Sequence, residues 1–365
     1  MKINCRQFSI MVFFLLLSLK FLALPSLIYN DCKTDSWLAF VLIVVFDILL
    51  LVVIIKFLFL STENSFYDFL KNRFGVVITK IICFTLFCVF MIDLFTGITG
   101  VQRMLVENFY NEFDWYIYLI PLLSILAYMA YKGLQNIGRL CEIFVFLVIV
   151  GLVFIIVKGL PAFEPTFFLP AFTTGVSPIF KAFAKHVSWF GTPIVLLFTM
   201  GNINRQNWKK STVIKYTIWG AVFTLIVISE FYGVFKTNSG FHSFAISDLS
   251  QVSNFSTALD ELSWLVISIW VTGQILQLAI IFYATIFAFR YTFGVKNSWL
   301  PILFINVAII VYQIISNETI DIEKHLYSAP TVVCEWAVKL GVVLLICFAN
   351  IFYMKRKRRK ANEKT

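Results

Sequence analysis

Ionisable side chains embedded in long apolar runs are the residues of this 365-residue chain best placed to do chemistry. A charge inside a membrane span is expensive, so it persists where it faces a cavity, a ligand or a partner. Lys20 interrupts the first apolar run and could attract a ligand carboxylate or stand in for a coupling cation. Its other role would be structural, as the partner of Asp93 or another internal acid. Asp93 is followed by Gly97 and Gly100 at a small-residue spacing that lets helices approach closely; it reads as a pocket acid, a proton carrier or half of an ion pair. Asp47 stands mid-run, Glu230 lies toward the end of another run, and Lys80 is close enough to an end to snorkel. Glu335 and Lys339, four apart, share a helix face and can satisfy each other. Gln274 and Gln277 offer uncharged hydrogen bonding to a ligand or to a neighbouring helix.

Two proline-containing stretches add backbone chemistry. The first run carries Ser18, Lys20 and then Ala23-Leu24-Pro25, and a run in the second half carries Ser188-Trp189-Phe190-Gly191-Thr192-Pro193. Proline removes a helix hydrogen bond, and glycine opens dihedrals closed to other residues. Either site alone reads as an ordinary kink. At matching places in two halves, they predict a pair of interrupted helices whose freed backbone groups can hold a ligand. The candidate ligand-binding set is therefore Lys20, Pro25, Asp93, Gly97, Trp189, Gly191, Thr192, Pro193, Gln274 and Gln277.

Enzyme templates are absent: there is no HExxH, GxSxG or Walker loop. His186, His242 and His325 fall in stretches read as loops, distant in sequence from any cysteine or carboxylate cluster. Of the seven cysteines only Cys32 lies in an outside loop, and Cys83 with Cys88 lack metal-ligand context. Neither catalysis, a metal nor a cofactor is expected.

The elements that must position these residues are membrane helices. With 60% hydrophobic and 14% charged residues and a mean hydropathy of +0.86, the chain reads as an all-α, multi-pass membrane protein in a lipid bilayer. At about 20 residues per crossing, hydropathy predicts ten spans: 7–29, 37–60, 74–102, 115–132, 139–158, 187–203, 213–235, 263–290, 299–316 and 330–354. The first stretch resembles a signal peptide, but Lys20 breaks it and no clean cleavage site follows, so it reads as a retained helix. Most of the 30 lysines and arginines fall on one side of this plan, which places both termini in the cytoplasm. The basic tail, 355–365, is a topology-fixing cluster attracted to anionic headgroups, and no nucleic-acid partner is expected. Residues 1–354 thus form one membrane domain, with repeats at about 7–158 and 187–354. Five spans in each half permit an inverted repeat. Amphipathic connectors, Asn64–Arg73 inside and Phe244–Leu262 outside, occupy equivalent places in the two halves.

Several segments together resemble the endospore germination permeases, the B subunits of spore germinant receptors, within the amino acid, polyamine and organocation transporter superfamily. They are FLALP at 21–25, NSFYDFLKNRFGVVITK at 64–80, KGLQNIGRL at 132–140, FLPAFTTGVSPI at 168–179, and WFGTPIVLLFTMGNI at 189–203 followed by NRQNWKKS. The resemblance implies the LeuT-like plan: ten helices in a five-plus-five inverted repeat, with a pocket between broken helices one and six. It also implies work alongside an A-type subunit and a lipoprotein C-type subunit in the inner spore membrane. The family tends to have a glycine-rich break before the LP of helix one, where this chain has Ser18-Leu19-Lys20. It often carries a carboxylate shortly after the FG of helix six, where Pro193 stands here.

The first expectation is therefore a germinant-receptor subunit that binds a small polar molecule such as an amino acid. The second is a stand-alone amino acid or organic cation transporter of the same superfamily. A third, a polysaccharide polymerase or ligase, needs a sizeable outside loop with basic catalytic residues, and the longest outside loops predicted are short.

Overall fold

The computed structural model describes residues 2–17, 19–61, 63–109, 114–189, 191–204, 208–252, 262–318 and 329–362. Among these the regular structure is helical, apart from one parallel bridge between Ile3 and Ile203. Ser18, Phe190, His325 and residues 253–261 of the outer connector lie outside the described residues. The helices are α1 (Cys5–Leu17), α2 (Leu24–Cys32), α3 (Ser36–Leu60), α4 (Phe66–Phe109), α5 (Trp115–Lys132) and α6 (Leu134–Gly159). They continue with α7 (Val176–His186), α8 (Lys210–Phe235), α9 (Ala245–Ser250), α10 (Ser263–Phe293), α11 (Trp299–Glu318) and α12 (Ala329–Asn362).

Among the described residues, eight helical stretches are long and apolar enough to cross a membrane, and they correspond to α3, α4, α5, α6, α8, α10, α11 and α12. Such helices satisfy their own backbone groups, the condition for survival in hydrocarbon. Their outer faces are apolar as well. On α6, Ile143, Phe146, Val150, Val153 and Val157 are all exposed at three- and four-residue spacing, a lipid-facing stripe. α10, in contrast, is buried along most of its length and packs extensively on α4, while α1 packs on α8.

The first apolar run does not form a continuous helix. α1 ends at Leu17, a single 3-10 turn spans Leu19–Phe21, and α2 begins at Leu24 with Pro25 in its first turn. Proline has no N–H to give back to the preceding turn, and it suits the opening of a helix. The carbonyls left over at the end of α1 find hydroxyl donors on other elements. Thr192 donates to Leu15 O at 3.3 Å and Thr224 to Leu16 O at 3.2 Å. Beyond the interruption, the Tyr232 hydroxyl donates to Pro25 O at 2.9 Å.

The second interruption is built differently. α7 runs into a 3-10 turn, Val187–Trp189, and Gly191 then takes a left-handed conformation (φ 82°, ψ 2°). Pro193 follows in the first turn of an 11-residue 3-10 helix, Thr192–Asn202, which is buried from Thr192 to Met200. Runs of 3-10 helix beyond three or four residues are uncommon. This one is closed off at its far end by the N-terminal strand: Ile3 N donates to Asn202 O at 2.7 Å, and Asn204 N to Ile3 O at 3.0 Å.

Four expectations are corrected. The sixth span, placed at 187–203, is preceded by α7, because Lys181, Lys185 and His186 depress the hydropathy of a segment that is nevertheless helical. His186 lies far in sequence from any acid, yet its Nε2 stands 2.6 Å from Asp31 Oδ2, since α7 packs against α2. Lys158, read as the solvent end of the 139–158 span, is buried and donates to Ser250 O and to Ser263 Oγ at 2.9 Å. Helix α12 continues through the basic tail to Asn362 instead of ending at 354. The inner connector is helical as expected, and Gly75 (φ 80°, ψ 174°) divides it from the membrane part of α4. The outer connector is described only as α9 and its flanks.

Candidate functional site

Asp47 is the residue that joins the two interruptions. It lies in the middle of α3 with no exposed surface, and its two carboxylate oxygens serve different elements. Lys20, on the 3-10 turn of the first interruption, donates from Nζ to Oδ2; the Gly191 amide donates to Oδ1 at 2.9 Å. Lys20 is 2% exposed, so the pair sits in low dielectric. A buried ammonium and a buried carboxylate tolerate that environment only together.

A second charged group lies on the other side of Gly191. Lys339 of α12 donates to Asp93 Oδ1 at 2.9 Å, to Glu335 Oε1, and to Ser188 O at 3.0 Å. An ammonium has three N–H groups, and here each has a partner, the third being a carbonyl freed by the second interruption. The Lys339 stem is close to the backbone: a Cβ added to Gly191 would sit 3.1 Å from Lys339 Cδ. Phe46 of α3 packs its ring 6.2 Å from Trp336 of α12 and 5.9 Å from Phe183 of α7.

Lys20 therefore meets Asp47 and not Asp93, which correctly belongs to Lys339. Of the two alternatives, Lys20 takes another internal acid, because its turn faces α3, while the Asp93 face of α4 is turned to α12. Of the candidate set, Lys20 and Gly191 meet through Asp47, and Asp93 reaches the second interruption through Lys339. Thr192 bonds back to α1, and Trp189 is half-buried next to Ser188. Pro25 opens α2, its carbonyl taken by Tyr232, and Pro193 is buried at the start of the long 3-10 helix. Gly97 is buried one turn along α4 from Asp93.

Gln274 and Gln277 stand apart from these ion pairs on α10, fully buried. Neither polar atom of the Gln274 amide has a hydrogen-bond partner among the described residues. Four residues before it on the same face, Trp270 packs its ring 5.3 Å from Phe21 of the first interruption, which places unsatisfied amide groups one helical turn from that break. Asp47, Glu335, Lys339 and the Ser188 carbonyl were missed as site residues. The general cost of an intramembrane charge singles out the first three; the proline-containing stretch marks the region of the fourth without picking out which carbonyl is freed.

Gly191→Ala tests the geometry directly. A left-handed alanine costs about 1–2 kcal/mol, and its methyl group meets the Lys339 stem. We expect a lowered unfolding midpoint in detergent and a weaker ligand response; an unchanged midpoint would mean that Gly191 is not held as described.

This arrangement of two interrupted helices inside a bundle of continuous ones is the transporter plan. A Na+-coupled sialic acid symporter in a substrate-bound, outward-open state has a similar structure, with a TM-score of 0.55 and 14% identity over 94% of this chain and 76% of that one. The Eremococcus coleocola manganese transporter, in complex with an aromatic bis-isothiourea substituted compound, is similar with a TM-score of 0.56 and 12% identity, over 94% of this chain and 77% of that one. At such identities the likeness defines the fold alone: a multi-pass, transporter-like membrane protein. The family model for the spore germination protein matches residues 2–320, and the chain belongs to that family. Among curated proteins, none matches it in sequence.

Proposed function

We propose that the chain is the membrane B subunit of a germinant receptor and binds a small polar molecule, such as an amino acid, where its two interrupted helices meet. The observation that carries this reading is the shared carboxylate of Asp47, which ties Lys20 on one interruption to the Gly191 amide on the other. A ligand able to compete for either bond would loosen both interruptions together, and the unsatisfied amide of Gln274 supplies uncharged recognition nearby. The A-type and lipoprotein C-type subunits would read that change.

In this reading the eight continuous spans and the two interrupted helices make ten crossings. The first five (α1 with α2, then α3 to α6) and the last five (α7 with the long 3-10 helix, then α8, α10, α11 and α12) form an inverted repeat with both termini cytoplasmic. The transporter fold of the neighbours supports a second reading, a stand-alone amino acid or organic cation carrier. Neighbouring genes for A-type and C-type subunits favour the receptor.

Binding and uptake of a panel of amino acids and nucleosides in proteoliposomes test the proposal. For the compound that binds, Lys20→Ala and Gly191→Leu are each expected to weaken binding about tenfold or more, about 1.4 kcal/mol. If both variants bind like the parent, the ligand sits elsewhere. Uptake by the chain alone would favour the carrier over the receptor.

A further inference from the structure

We infer that Asp93 and Glu335 form a proton-binding site, holding one exchangeable proton between them beside Lys339. The argument begins with charge. The triad contains two carboxyl groups and a single ammonium, and all three are buried: Asp93 8%, Glu335 8% and Lys339 2% exposed. Fully ionised, it would place one uncompensated negative charge in the interior of a membrane bundle, and a buried group in that position takes up a proton instead.

The geometry points the same way. Lys339 Nζ holds both Asp93 Oδ1 and Glu335 Oε1, so a single buried ammonium brings the two carboxyl groups together. Asp93 Oδ2 is buried without a donor among the described residues. Two carboxyl groups gathered on one buried ammonium share a proton because like charges brought so close cannot both persist.

On the elements packed against α12, Lys80 and Arg103 of α4, Lys56 of α3 and Lys181 of α7 are exposed, and the buried charges have partners of their own. Asp47 on α3 is matched by Lys20. On α7, Lys185 and His186 face Asp31 at 2.8 Å and 2.6 Å. The 3-10 turn Val187–Trp189 contributes only the Ser188 carbonyl.

The proton bears on the second interruption because the same ammonium holds Ser188 O. Bound, the proton leaves Lys339 with one full carboxylate and a free share for that carbonyl. Released to water, it leaves two carboxylates competing for the ammonium, and the hold on Ser188 weakens. The site is thus a proton-linked latch on the helix break, whatever ligand the chain binds.

Infrared difference spectroscopy of the full chain in lipid nanodiscs, alkaline minus acidic buffer, tests the assignment. Glu230 is the other buried carboxyl group with both oxygens unpartnered among the described residues, so the parent protein is Glu230→Gln. The parent is expected to show a carboxylic-acid carbonyl band, shifted in heavy water, that is lost in both the Asp93→Asn and Glu335→Gln variants. Monodisperse gel filtration and native helical circular dichroism establish that each variant is folded; should one fail that check, the other decides. The inference is overturned if the parent lacks the band or if a folded variant retains it in full. It is also overturned if sodium or potassium at constant pH abolishes the band, because a metal cation then holds the site.

Discussion

Asp47→Ala is expected to cost about 3–5 kcal/mol, the price of leaving one member of a buried ion pair alone. The substitution strands the Lys20 ammonium and also removes the acceptor of the Gly191 amide. Thermal unfolding in detergent should therefore show a large drop in midpoint. The double variant Lys20→Met/Asp47→Leu removes both charges at similar volume, and apolar replacements of buried pairs are often neutral for stability. It should recover most of the lost midpoint. Ligand binding should stay lost, since the two interruptions are no longer joined. An Asp47→Ala protein as stable as the parent would show that the pair is not desolvated, and a double variant that binds ligand normally would remove Asp47 from the site.

Lys339→Met is the second large effect. It leaves Asp93 and Glu335 facing each other without their cation and frees the Ser188 carbonyl at the interruption. Taking the ammonium from a buried network of this kind costs about 3–5 kcal/mol, and we expect poor recovery of folded protein. Adding Asp93→Asn and Glu335→Gln removes the repulsion, so the triple variant should regain stability yet respond to ligand without pH dependence. A single Lys339→Met protein with parental yield and midpoint would place the triad in water rather than in the bundle.

Much of the fold was legible because hydrophobic length and proline position are local properties. Pro25, and Gly191 with Pro193, mark the interruptions, and their matching places in the two halves set them apart from ordinary kinks. What stayed hidden depends on helix rotation. Asp47, Asp93, Lys20 and Lys339 were all visible as costly charges, but which lysine meets which acid is decided by the direction each helix face turns after packing. α7 was hidden for a related reason: hydropathy counts Lys181, Lys185 and His186 as solvent-seeking, whereas Lys185 spends its charge on Asp31 across the bundle and the His186 ring hydrogen-bonds the same carboxylate. Family-like motifs also gain physical content from the packing. Thr174 of the 168–179 segment donates its amide, at 2.7 Å, and its hydroxyl, at 2.6 Å, to the buried Asp35 carboxylate between α2 and α3, which explains a polar loop in so apolar a chain.

The long 3-10 helix has a mechanical meaning. Its 11 residues rise about 2.0 Å each, against about 1.5 Å in an α-helix, so relaxation to α-helical geometry would shorten the segment by about 5 Å. Gly191, anchored on Asp47, stops one end of this rod, and the hydrogen bonds of Ile3 stop the other. A stroke of that size, held between two end-stops, makes the segment an extensible strut whose length links the buried Asp47 anchor to the N-terminal residues around Ile3.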